Sequence, residues 1–193
     1  GYDTLKDFVP LTRLLVSPTV LIVPVNSRLQ TWQDLVQAAQ SDKGLNYGSY
    51  GVGSQPHIWM EMLNRTLKGR LTHVSYKGGA PAVQDLIAGH IDAMLDVAPS
   101  SIPLVREGKL RALGVTSPKR SPAAPDIPTL SEAGLPGFEA VSWFALFAAP
   151  GTPKPVADKL ATQVAEVLKQ PDVAKKLSDL GLEPVGSTPD ELA

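Results

Sequence analysis

The sequence contains no cysteine, which excludes disulfide bridges and thiolate metal sites but leaves the compartment open, since such a chain is at home in an oxidising one. Nor is there an excess of charge of either sign. Eighteen Lys and Arg stand against 19 Asp and Glu, a net charge of −1, so no broad field exists for nucleic acid or an acidic membrane surface. Nucleic acid is therefore not an expected partner. No run approaches the ~18 apolar residues of a membrane span, because the apolar stretch 20–25 is interrupted by Pro24. No signal peptide is recognisable either: Gly1 opens directly onto the polar GYDTLKD, which suggests a cytosolic protein or a processed or trimmed piece.

The motifs of several chemistries are also missing. The P-loop pattern and the G-x-S-x-G nucleophile elbow do not occur. Gly48-x-x-Gly51-x-Gly53 lacks the last glycine of a dinucleotide fingerprint, and Ser75 and Tyr76 stand where its acidic partner belongs. The three histidines, His57, His73 and His90, have no metal-ligand spacing, and His73 and His90 read as isolated structural residues. No catalytic residue, metal site or cofactor is expected.

What the chain does have is a repeated arrangement. Residues 45–54, LNYGSYGVGS, read as a short strand that breaks into alternating glycines and meets Gln55-Pro56-His57 at a helix start. Residues 71–76 run through Lys77-Gly78-Gly79-Ala80 into Pro81, and residues 91–96 run through Val97-Ala98 into Pro99. Proline suits a first helical turn, having φ preset and no N–H to lose. Three strand–turn–helix units in series predict parallel strands whose carboxyl ends share one edge, where open α/β sheets bind ligands. Helix N-termini fed by Gly/Ser turns suit a carboxylate or phosphate.

Around this block the pattern predicts two lobes, which 193 residues with 43% apolar content can fill. Residues 8–15 and 19–25 read as two strands parted by Ser17-Pro18. Thr31 and Asp34 have capping-box spacing, opening an amphipathic helix. A fourth strand at 110–116 closes the block, and the proline-rich SPKRSPAAPDIP (117–128) reads as a surface connection leaving it. Residues 141–149 read as a buried core strand, holding three of the seven Phe and Trp residues. A helix with a stripe of Val156, Leu160, Val164 and Leu168 follows. The last start, Thr188-Pro189-Asp190-Glu191, is cut off at Ala193, which suggests that the natural chain continues. The expected partition is a complete lobe at 23–117 and a partial lobe of 1–22 and 118–193, with 19–24 and 113–117 as the hinge.

At the edge, each polar residue has two readings. His57 caps or packs its helix, or touches a ligand. Asp96, ending its strand, accepts a ligand ammonium or caps the helix after Pro99. Lys77 attracts an anion or is simply solvated. Ser49, Ser54, Ser100 and Ser101 add neutral hydroxyls, and a site of hydroxyls and backbone N–H groups holds an acid reversibly without machinery for bond breaking.

LNYGSYGVGSQPH, HVSYKGGAPAVQDLIAGHIDAMLD, GKLRALGVTSPKRSPAAPDIPTLSEAGLPGFEAVSWFALFAAPGTP and EPVGSTPDEL, in this order, resemble the Bug/TctC family, the periplasmic solute-binding receptors of tripartite tricarboxylate transporters. The resemblance implies an α/β fold similar to type II periplasmic binding proteins and a small carboxylate ligand: an amino, di- or tricarboxylic acid. It also implies permease subunits as membrane partners, a periplasmic location and no enzymatic activity. By position it places Gly48, Ser49, Tyr50, Gly51, Gly53, Ser54 and His57 in the ligand cleft, with Tyr76, Lys77, Gly78, Gly79, Ala80, Asp96 and Ala98 at its edge. Many relatives carry Asn where this chain has Ala98, so one amide contact is missing. Roughly the first third of the family pattern is absent ahead of GYDTLKDFVP, implying an N-terminally truncated fragment that binds carboxylates weakly or not at all. The rival reading is the effector-binding domain of a LysR-type transcriptional regulator, which shares the two-lobed plan and would carry a DNA-binding motif ahead of Gly1.

Overall fold

The computed structural model describes Gly1, Asp3 and residues 6–193. Two compact units form, one of Pro18–Val141 and one of Gly1–Ser17 with Ser142–Ala193. The first strand, β1 (Val9–Pro24), supplies residues to both. The Pro18–Val141 unit continues through α1 (Trp32–Gln40), β2 (Leu45–Ser49), α2 (Gln55–Leu67), β3 (Leu71–Ser75) and α3 (Gly79–Ala88). It is completed by β4 (Ala93–Val97), α4 (Ala98–Arg106), β5 (Leu110–Val115) and α5 (Leu130–Ala133). Beyond it lie β6 (Val141–Ala148), α6 (Lys154–Leu168), α7 (Pro171–Asp179), β7 (Glu183–Pro184) and α8 (Pro189–Leu192).

β1 is one 16-residue strand, not two. Proline cannot donate to a ladder, yet Pro18 falls between Val16, paired with β7, and Thr19, paired with β4, so the β7 and β4 ladders both pass it by. The strand order is β3-β2-β4-β1-β5. β2 pairs in parallel with β3 and with β4, as the repeated units predict. β1, however, enters antiparallel between β4 and β5, so the sheet is mixed where a wholly parallel one was expected. Apolar alternation marks which residues are buried and carries no information about strand direction.

That alternation does set the layers. Leu21 and Val23 face one way, onto Leu35 of α1, Met60 and Leu63 of α2, and Leu130 of α5. Val20 and Ile22 face the other way, onto Ala82 and Leu86 of α3 and Ile102 of α4. Helices thus cover both faces, as in α/β folds generally.

The unit is wider than the 23–117 read from the sequence. Ala123 and Ile127 are buried in one core layer, and Leu130 and Leu135 in the other. The prolines of 117–128 shape the backbone, but the single apolar residues between them plug the connection onto the sheet. The strands taken for a hinge lie inside this unit, where Thr19 Oγ1 is 2.6 Å from Thr116 Oγ1 and donates to the Ala140 carbonyl at 2.9 Å.

In the other unit, β6 departs from the core strand expected at 141–149. Trp143, Phe144 and Phe147 are 51%, 47% and 44% exposed, with Phe8 meeting Phe147 edge-on. α6 turns the small residues Ala157 and Ala161 inward and leaves Val156 and Leu160 of the expected stripe exposed. Apolar content expresses a demand for burial; it does not guarantee a covering layer. Among the described residues no helix is long and apolar enough to cross a membrane.

Candidate carboxylate edge

Because β3, β2 and β4 are neighbours running the same way, the turns at their carboxyl ends open on one edge. Contacts join the three turns. The Tyr76 N–H donates to the Ser49 carbonyl at 3.1 Å. The Tyr50 ring lies against the start of α3, where a Cβ on Gly79 would come 3.1 Å from Cε1. The Tyr50 hydroxyl donates to Asp96. One side chain of the first turn therefore reaches both of the others.

Asp96, 2% exposed, is filled by hydroxyls: Ser100 Oγ donates at 2.5 Å and Ser101 Oγ at 2.7 Å, beside Tyr50. It does not cap the helix after Pro99, since α4 has no side-chain cap. Burial, reinforced by the Asp96 charge and hydrogen bond, drives the Tyr50 phenol far above its ordinary range and keeps it a donor.

The first turn is fastened to itself. Ser49 Oγ accepts from the Gly51 N–H at 3.1 Å and donates to the Gly51 carbonyl at 3.0 Å, and Ser54 Oγ donates to that carbonyl at 2.7 Å. The Gly53 N–H donates to His57 Nδ1 at 3.1 Å. Gly51 and Gly53 adopt φ of +136° and +80°, which glycine takes without steric cost. The N–H groups of Gly51, Gly53 and Ser54 are thus already engaged, the last with the Gly51 carbonyl.

The second turn differs. Gly78, φ +136°, precedes α3, and no side chain caps this helix. The Gly79 and Ala80 N–H groups come before the first intrahelical donor, and Lys77 beside them is exposed. By contrast α1, α5 and α8 are each closed by a threonine capping box, the first being the predicted Thr31–Asp34 pair. α2 and α4 also lack side-chain caps. Each of the three edge helices begins one or two residues before its proline.

The remaining predicted residues sit behind the edge. Gly48 is buried within β2, and Ala98 is buried at the start of α4. The Tyr76 hydroxyl donates to Asp85 at 2.8 Å; burial and that carboxylate push the phenol up to about 12. The Tyr76 hydrogen bond, with His90 next, holds Asp85 below the usual carboxylate range.

One residue that the sequence pattern left as isolated belongs to this neighbourhood. His73 lies opposite Tyr47 in the β2–β3 register, and their rings stack at 5.1 Å. The His57 ring lies 4.1 Å from the His73 ring, and His73 Nε2 is 2.6 Å from Ser49 Oγ. Burial, followed by the His57 charge, lowers the His73 pKa, with Glu61 acting the other way. The signal was available in the alternation Tyr47-x-Ser49, but only once β2 and β3 are placed in register. No group of three or more His, Cys, Asp or Glu that could hold a metal ion occurs among the described residues.

A family model described as "Tripartite tricarboxylate transporter family receptor" matches residues 1–193. Among curated proteins, the UPF0065 protein in the tcbD-tcbE intergenic region of Pseudomonas sp. (strain P51) is 39% identical over 194 residues, covering 100% of this chain and 58% of that protein. Among solved structures, an R. palustris protein with adipate has a TM-score of 0.92 at 36% identity, covering 99% of this chain and 64% of the other. MatC from Rhodopseudomonas palustris with bound malate has a TM-score of 0.86 at 36% identity, covering 100% and 65%. The chain therefore spans less than two thirds of the length of each. The match along all 193 residues leaves the LysR-type alternative without support.

Proposed function

Because the chain belongs to the tripartite tricarboxylate transporter receptor family, a family of solute-binding receptors and not of enzymes, we propose that it recognises a small carboxylic acid in the periplasm for delivery to a membrane permease. The Pro18–Val141 unit provides the grip. The carrying observation is the start of α3, where Gly78 exposes the uncapped Gly79 and Ala80 N–H groups on an edge shared with Tyr50 and Lys77. A helix N-terminus without a side-chain cap favours an anion by both its free donors and its dipole. The acids bound in the two R. palustris proteins, adipate and malate, are both dicarboxylates and support a ligand of that class.

A handful of charge-assisted hydrogen bonds, each about 1.5–3 kcal/mol net, corresponds to a dissociation constant on the order of millimolar for this edge alone. Titration of the ¹⁵N-labelled chain with adipate and malate is expected to move the amide signals of Gly79, Ala80 and the 50–54 turn, while adipamide, the uncharged diamide, leaves them in place. Shifts confined to other elements, or an equal response to adipamide, would overturn the reading.

A further inference from the structure

We propose that β6 is a docking strand. Its bare faces receive a further stretch of polypeptide, the counterpart of the part of the relatives that this chain does not match, which adds a strand beside β6 and covers it. This rests on family membership and is independent of the carboxylate reading.

The unit of Gly1–Ser17 with Ser142–Ala193 buries too little to stand as it is. Among the described residues Leu11, Ala157 and Ala161 are its only buried apolar side chains, whereas both packed core layers lie within Pro18–Val141. Yet ten of the 14 large apolar side chains left exposed among the described residues belong to this smaller unit. A fold that exposes its large apolar residues and buries its alanines lacks a layer.

β6 concentrates the deficit. Successive residues of a strand face opposite ways, so Trp143 and Phe147 stand on one face and Phe144 and Leu146 on the other, and all four are exposed. Phe8 extends the first face through its edge-on contact with Phe147. Among the described residues β6 pairs with β1 and with no other strand. A strand whose outer side meets water is usually guarded by charged residues or proline; residues 141–148, VSWFALFA, contain neither. Such a run is suited to pairing on both sides.

Length names the occupant. The match covers 100% of this chain and 58% of the Pseudomonas relative, so more than a third of that protein has no counterpart here. A second copy of this chain fits less well. Pairing β6 with its twin leaves both faces bare, and stacking one face on its twin leaves the other face and the outer side of the strand in water. A segment that brings a strand and apolar side chains of its own satisfies all three.

The test compares the 193-residue chain with a chimera, in which this chain replaces the part of the R. palustris adipate-bound protein that it matches. In hydrogen exchange followed by NMR, the fastest amides of 143–147 are expected to gain roughly hundredfold protection in the chimera. The Leu95 amide in β4, protected in both, reports an intact larger unit. Trp143→Lys with Phe144→Lys leaves the urea midpoint of the chain alone unchanged, because both side chains are exposed there, and abolishes the gain in the chimera. Equal exchange of 143–147 in the chain and the folded chimera, or a chimera indifferent to the double variant, would overturn the proposal. The chain alone gives an independent reading. It is expected to bind the dye ANS, a probe of bare apolar surface, and to lose most of that binding in the double variant. No dye binding by the parent chain would overturn the proposal. So would a stable dimer with protected 143–147 amides, in favour of a second copy.

Discussion

Replacing Asp96 by alanine is expected to lower the free energy of unfolding by about 2–4 kcal/mol, because buried hydroxyls lose the acceptor that they share. Three hydroxyls, from Tyr50, Ser100 and Ser101, converge on this carboxylate in a setting 2% exposed. Removing the acceptor leaves the Tyr50 and Ser101 hydroxyls without it, each costing about 1–3 kcal/mol where no water replaces it, while the exposed Ser100 keeps the Val97 carbonyl at 3.0 Å. The loss also unties the first turn of the edge from the third, because Tyr50 is the link. Asp96→Asn keeps one carbonyl acceptor and sets an NH₂ donor against hydroxyls that are themselves donating, so it falls between alanine and the parent. Urea unfolding at pH 7 checks both; an alanine variant within about 1 kcal/mol of the parent would show that water replaces the carboxylate at little cost.

The second large effect lies at Gly48. A Cβ there would stand 2.5 Å from Ile91 Cδ1, 3.4 Å from Tyr76 Cε2 and 3.7 Å from Ala82 Cβ. Position 48 is buried in β2, between Val74 of β3 and Met94 of β4, so neither neighbouring strand can step aside cheaply. Gly48→Ala is expected to cost about 1–3 kcal/mol by overpacking. Ile91→Val, which removes the offending Cδ1, costs about 0.5–1.5 kcal/mol by itself. The double variant is expected to be more stable than the sum of the two losses allows, since the methyl lost at 91 makes room for the one gained at 48. Strict additivity would mean that Ile91 is not the obstacle.

These two sites show what the sequence could and could not convey. The turns were legible because glycine and proline mark them locally, and the α1 start was legible because Thr31 and Asp34 have capping-box spacing. Parallel pairing of β3, β2 and β4 followed from the repeated strand–turn–helix order. The direction of β1 was not legible, since alternation fixes faces without fixing direction. Nor was the packing of 118–141, where prolines mask the anchoring roles of Ile127 and Leu130. The exposure of Trp143 and Phe144 depends on what covers a strand, which the strand's own residues do not record.

Within the candidate site, the glycines at 51 and 53 were visible as residues suited to positive φ. That their amides turn inward onto Ser49 and His57, leaving α3 as the open donor, depends on atoms brought together by tertiary register. His73 illustrates the same limit. It stands 24 residues from Ser49 and meets it only through in-register pairing of β2 and β3.

The most direct measurement is a crystal structure of the chain grown with saturating adipate. A carboxylate is expected at the start of α3, its oxygens about 2.7–3.2 Å from the Gly79 and Ala80 nitrogens, with Tyr50 and Lys77 beside it. An ordered adipate on another face of the Pro18–Val141 unit, with the α3 amides turned to water, would contradict it.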